Sequence, residues 1–349
     1  MSRSYVSLCA AVGGLALLTG QALAQSPANA AAGQTGAEVH EHAQAREDAR
    51  PHEHTDGASG SHGHAHGAVS GMVAADAALS TQPEDPRVGA ATTLTFTLTD
   101  SAGQPLEALI THHARTLHVV ILSEDMRVLG HIHPQDFDES IEAGEAKVHF
   151  TFPQAGRYLI AADMLTEDGP YAEQFLVEVA GEESGAAVGA VTPARIAVVE
   201  AEGGDRYTAP ILLDDANKAA GYELSLARPE RIEAGAPATF TLRVSRGGTP
   251  VTDLRPFLAA PLHLVVVKED LSNFLHAHGT VAKTDQAGYR PHDHADGHRH
   301  ASHGYQGPSS FGPELTATLT FPEPGRYYLF GQAAHGENLL VSRFPVEVR

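Results

Sequence analysis

The chain repeats itself, and the repeat limits its possible folds more than any other feature. The run LHVVILSEDMRVLGHIH, starting at Leu117, matches LHLVVVKEDLSNFLHAH, starting at Leu262, at a constant offset of 145. His118 falls on His263, Asp125 on Asp270, His131 on His276 and His133 on His278. Further on, FPQAGRYLI matches FPEPGRYYL, and QFLVEV matches RFPVEV, at an offset of 169. The second copy therefore holds a net insertion of 24 residues between its H-x-H and its FPEPG turn. A shared order of short motifs is the mark of a duplicated unit.

Each copy reads as all-β. Short runs rich in Val, Leu, Thr and Phe, such as TTLTFTLTD and EQFLVEVAG, alternate with Gly, Pro and Asp clusters. That spacing predicts about seven strands per copy, the size of an immunoglobulin-like sandwich. FPxxGRY predicts a tight turn into a strand, with Tyr158 and Tyr327 as structural corner tyrosines. The expected fold is all-β, with two tandem immunoglobulin-like β-sandwich domains at 76–180 and 206–349, joined by a linker at 181–205. The insertion in the second domain lies at about 284–312 and contains RPHDHADGHRHASHGYQG.

Ahead of the first domain stand two segments of other character. Residues 1–24 carry Arg3, an apolar run from Val6 to Leu18 and the A-x-A pattern Ala22-Leu23-Ala24. These are the parts of a secretory signal peptide, cleaved after Ala24, and the apolar run is too short to span a bilayer. A periplasmic or secreted location is expected, with no membrane insertion after cleavage. Residues 25–75 are poor in large apolar side chains and hold His40, His42, His52, His54, His62, His64 and His66. Such a segment buries too little surface to offset its ordering entropy and is expected to be disordered.

Composition then narrows the chemistry. The net charge of −20 disfavours nucleic acid as a partner. The only cysteine, Cys9, lies in the signal segment, so the mature chain has neither disulfides nor thiolate ligands. Against that stand 22 histidines, nearly as many as the 23 Lys and Arg together. With so few methionines a dedicated Cu(I) site is not expected. Cu(II) or Zn(II), with Ni(II) as a third choice, suits imidazole.

The repeated hairpin is the expected metal site. H-x-H on a strand puts both rings on one face, about 7 Å apart. With the turn centred on Asp125-Met126, His118 stands opposite His133, and His131 lies on the diagonal. A one-residue register change would move His118 to the other face, and spacing alone leaves both registers open. The second copy repeats the trio as His263, His276 and His278 and adds Gln332 and His335. The first copy has Asp163 in place of Gln332 and offers His112 and His113. Each hairpin is expected to form its own site. Asp125 and Asp270 are expected to shape turns, and His149 to lie on the surface. The histidine tracts would bind metal loosely. No GxSxG elbow, phosphate-cradling loop or HExxH helix occurs, so no enzyme activity is assigned.

The stretches PFLAAPLHLVVVKEDLSNFLHAHG and LTFPEPGRYYLFGQAAHGENLLVSRFPVEV resemble exported bacterial β-sandwich domains described as heavy-metal-binding or YtkA-like. HHARTLHVVILSEDMRVLGHIHP resembles the same group. The likeness implies metal ligation by His113, His118, His131 and His133, and by His263, His276, His278 and His335. The expected function is binding, buffering or delivery of a divalent transition metal, with a metal transporter or efflux component as a partner. Two alternatives stand beside it: an envelope spacer with incidental histidines, and a zinc-dependent hydrolase.

Overall fold

The computed structural model describes residues 66–67, 75–106, 109–167, 169–181, 195–200, 205–213, 220–282, 305 and 307–349. The leader, nearly all of the 25–75 segment and most of the histidine-rich insertion lie outside the described residues. The first copy is built from β2 (Ala75–Gln82), β3 (Ala91–Asp100), β4 (Leu117–Ser123), β5 (Val128–Ile132), β6 (Glu145–Thr151), β7 (Gly156–Thr166) and β8 (Gly169–Val179), after a two-residue β1 (His66–Gly67). Two short strands follow, β9 (Arg195–Glu200) and β10 (Ile211–Leu212). The second copy comprises β11 (Tyr222–Ala227), β12 (Pro237–Arg246), β13 (Thr249–Pro250), β14 (Leu262–Lys268), β15 (Phe274–Val281), β16 (Glu314–Thr320), β17 (Gly325–His335) and β18 (Asn338–Val348). The described fold is all-β apart from one turn of 3-10 helix at Pro134–Phe137.

In the first copy a three-stranded sheet, β2-β3-β6, packs on a five-stranded sheet, β10-β5-β4-β7-β8. Leu94, Phe96 and Leu98 of β3 meet Leu117, Val119 and Ile121 of β4 in the core between them. The outer sheet shows the period of a half-buried surface: Leu94, Phe96 and Leu98 point inward, and the threonines between them point outward. The inner sheet does not, because all seven residues of β4 are buried. A strand covered on both faces reads as an unbroken apolar run, as LHVVILS does.

The second copy explains what covers that other face. Its strands run β11-β12-β16-β15-β14-β17-β18-β9, with β15 passing from one face of the sandwich to the other. Leu262, Leu264 and Val266 of β14 fill its own core. His263, Val265 and Val267 alternate with them and point the other way. There, Val265 and Val267 join Val120, Leu122, Leu129 and Leu159 of the first copy in a third apolar core. The two copies thus pack sheet on sheet. Each large aliphatic side chain buried in such a core stabilises the contact by about 1.5–3 kcal/mol. Residues 59–349 form one compact unit.

The connecting segment takes part in this packing. Arg195–Glu200, inside the stretch read as a linker, is a strand on the edge of the second copy and pairs with β18. The chain then returns, and Ile211–Leu212 pairs with β5 of the first copy. Residue 206 is therefore not a clean boundary. Within 25–75, read as disordered, the described residues His66–Gly67 pair with Leu275 and His276 of β15.

The corner tyrosines do what their position suggests. The Tyr158 hydroxyl donates to Gln154 O at 3.0 Å, and that of Tyr327 to Glu323 O at 2.9 Å. Burial pushes the Tyr158 hydroxyl well above its ordinary range, so it remains a donor. Tyr158→Phe and Tyr327→Phe should each cost about 1 kcal/mol, the net worth of one hydrogen bond. Urea denaturation measures this; an unchanged midpoint in both variants would leave the corner role without support.

Candidate metal centre

The site begins with the two hairpins. In the first, β4 and β5 pair with Val119 opposite Ile132 and Val120 opposite His131. In the second, His263 stands directly opposite His278. Both registers put the H-x-H rings and the lone strand histidine on one face. The turns hold this register locally. Asp125 Oδ1 accepts from the Ser123 hydroxyl at 2.6 Å and from Arg127 N at 3.1 Å. Asp270 Oδ1 accepts from the Ser272 hydroxyl and amide. Met126 and Leu271 sit at φ +58° and +64° in the equivalent turn positions.

On its other side, β4 pairs with β7 so that His118 faces Asp163, and β14 pairs with β17 so that His263 faces Gln332. Each inner sheet therefore carries its histidines and one further polar group on the face that meets the other copy. The two sets cross. Asp163 of the first copy accepts from His276 Nδ1 at 2.8 Å, and Gln332 of the second accepts from His131 Nδ1 at 2.9 Å through Oε1. One centre spans the interface where two separate hairpin sites were expected. The reason is the apolar packing around it, which presses the histidine-bearing faces together.

The outer nitrogens of these rings meet acceptors. His118 Nε2 donates to His112 O at 3.1 Å, and His263 Nε2 to Phe257 O at 2.9 Å. His133 Nδ1 donates to Asp136 Oδ2 at 2.7 Å, and Arg115 holds the same carboxylate at 2.9 Å. Carbonyl and carboxylate oxygens cannot donate, so the proton lies on the outer nitrogen and the lone pair on the inner one. The inner nitrogens then face each other. His118 Nδ1 lies 3.2 Å from His131 Nε2 and 3.1 Å from His133 Nε2, and His263 Nδ1 lies 3.5 Å from His276 Nε2. Two groups of donor atoms fall within 4.8 Å of one another: His118, His131 and His276, and His263, His276 and His278. His276 belongs to both.

Burial sets the protonation state. His118, His131, His263 and His278 are held well below the ordinary 6.5, first by loss of hydration and then by neighbouring imidazoles. His133 is lowered by burial, with the Asp136 carboxylate opposing. These rings are neutral at pH 7, which is the ligating form.

The other expected residues have different placements. His113 stacks on His278, with ring centres 3.5 Å apart. Asp163 and Gln332 reach the centre through histidines and are not members of either donor group. His335 is the one candidate set apart. It lies three residues beyond Gln332, hence on the opposite face of β17, where Tyr222 Oη contacts its Nδ1 at 2.5 Å and its Nε2 donates to Asp253 at 3.0 Å. Asp136 was not foreseen; its signal was an acid three residues after His133.

Comparisons with known proteins add a family. A family model described as Domain of unknown function (DUF8832) matches residues 73–181 and 217–349. No curated protein matches. Among solved structures, a Salmonella alpha-2-macroglobulin mutant aligns at TM-score 0.23 and 12% identity, over 79% of this chain and 15% of that one. Trypsin-activated alpha-2-macroglobulin from Escherichia coli aligns at TM-score 0.21 and 11% identity, over 79% and 16%. The chain thus spans less than a fifth of either.

Proposed function

The chain belongs to the family described as Domain of unknown function (DUF8832), and from its shared histidine centre we propose that it is an exported protein that binds a divalent transition metal ion for buffering or delivery. One observation carries this reading. The lone pairs of His131 and His133 each lie 3.1–3.2 Å from that of His118 with no proton between them, and His276 joins His118 and His131 within 4.8 Å. Such an arrangement is repulsive unless a cation sits at its focus. A tetrahedral ion with bonds of about 2.0–2.1 Å to imidazole holds its donors about 3.3–3.4 Å apart. The outer contacts with Asp163, Asp136 and backbone carbonyls are the kind that orient metal-bound imidazoles.

Several sequence features support the same reading. The mature chain has no thiol, which favours Zn(II) or Cu(II), then Ni(II), over softer ions. The leader pattern at 1–24 supports a location outside the cytoplasm. The partner would be a metal transporter or efflux component that receives or supplies the ion.

Calorimetric titration of the mature chain with Zn(II), Cu(II) and Ni(II) tests this. It is run beside a variant in which His40, His42, His52, His54, His62, His64, His292, His294, His298, His300 and His303 are serine. A tight phase of about one or two ions should persist in the variant, while weak phases disappear. If the tight phase goes with the tracts, the buried centre is not the binding site.

A further inference from the structure

The two copies' contributions to the centre differ, and the difference bears on how an ion reaches it. This inference rests on the metal reading above. The His112–His113 loop of the first copy and the Phe257–Leu258 loop of the second are equivalent at the offset of 145. They also share a backbone shape. His113 and Ala114 sit at φ +48° and +64°, and Leu258 and Ala259 at +45° and +54°. Only the side chains differ. Leu258 is buried in the apolar core between the copies. His113 is partly exposed and stacks on His278, while His112 lies edge-on to the same ring at 5.5 Å.

The rings behind these loops differ in the same sense. His133 is locked: Asp136 holds its Nδ1, and its Nε2 lies on His118. In the second copy the position of Asp136 is taken by Val281, whose side chain has no carboxylate to accept from a histidine. His278 therefore lacks that lock, and its Nε2 is buried with no hydrogen-bond partner. His278 is also the most exposed of the six repeated histidines, at 9%, against 4% or less for the other five.

We propose that the metal ion enters and leaves the centre past His113 and His278, which form an outer ligand pair that hands it to the buried histidines. No equivalent pair exists for the other hairpin: Leu258 stands where the first copy has His113, and His133 is held by Asp136 and Arg115. An ion crossing a dry, apolar wall would have to shed its hydration with nothing in exchange. A partly exposed imidazole stacked on a less constrained buried one offers ligands in succession, so water is replaced one donor at a time.

The test uses His113→Leu, which gives the first copy's loop the side chain its twin already carries on the same backbone. The readout is Zn(II) release from the zinc-loaded full chain into excess chromophoric chelator, with equilibrium affinity measured in parallel. A residue on the path alters both rates together and leaves their ratio in place. Release should slow about tenfold or more, with the dissociation constant kept within about threefold. The reciprocal Leu258→His should speed release by adding a second outer imidazole at the equivalent loop position. An unchanged release rate in both variants overturns the proposal. So does a loss of affinity in His113→Leu as large as its change in rate, which would make His113 part of the centre itself. Absence of tight zinc binding in the parent chain would defeat the metal reading first, and the two failures are therefore distinguishable.

Discussion

His276→Ala should remove tight metal binding almost entirely, more than any other single substitution in the cluster. His276 is the only histidine that belongs to both donor groups, and it is fully buried. Its Nδ1 is held across the interface by Asp163, which leaves Nε2 to face the ion. Structural zinc sites with four ligands bind with about 10–16 kcal/mol. One ligand's share is then about 3 kcal/mol, a loss on the order of 100-fold in affinity. Asp163→Asn should cost less. Its amide oxygen can still accept from Nδ1–H but without the charge, so the expected loss is about tenfold, the low end for a group behind a ligand. His335→Ala, on the opposite face of its strand, should leave affinity unchanged. Competition with a chelator of known affinity measures all three. If His276→Ala binds zinc like the parent chain, the shared centre is not where the ion sits.

The fold was legible because its rules are local. Alternation in TTLTFTLTD marks a strand with one wet face, and the FPxxGRY turn places a tyrosine whose hydroxyl finds a carbonyl four residues back. The hairpin register was legible to within one residue, and the aspartate turns decided it. What escaped notice was the meeting of the two copies. Its signal was present in LHVVIL and LHLVVV, which are apolar at every position but one. A strand in a sandwich with one wet face should alternate, and these do not. Their second apolar face needed a cover, and the twin copy supplies it. Which polar groups then cross, Asp163 to His276 and Gln332 to His131, depends on how two twisted sheets dock. No spacing within either copy encodes that angle. His335 could have been set aside from its spacing alone, since residues three apart on a strand point to opposite faces.

Acid should unfold the metal-free protein steeply just below neutrality, and the sign follows from the buried rings. His118, His131, His133, His263 and His278 all lie below the ordinary 6.5 in the folded state, chiefly through burial. In the unfolded chain the same rings protonate as pH falls through about 6.5. Below that point the unfolded state binds more protons than the folded one, so stability falls as pH falls. It is fully present above about 6.5 and is lost progressively down to the folded-state values. Each such histidine adds a slope of up to about 1.4 kcal/mol per pH unit, and five acting together approach about 7 kcal/mol per unit. A domain's whole stability is about 5–15 kcal/mol, so one to two pH units of acidification should suffice to unfold it. Urea denaturation with chelator present, at about pH 7.5, 6.5 and 5.5, reads this directly. Saturating zinc should move the acid transition downward, because the ion binds the folded state and competes with protons for the same nitrogens. A stability that is flat from about pH 7.5 to 5.5 would mean that these rings take up protons in the folded protein as readily as in the unfolded chain. Neither the dry centre nor its neutral ligands would survive that result.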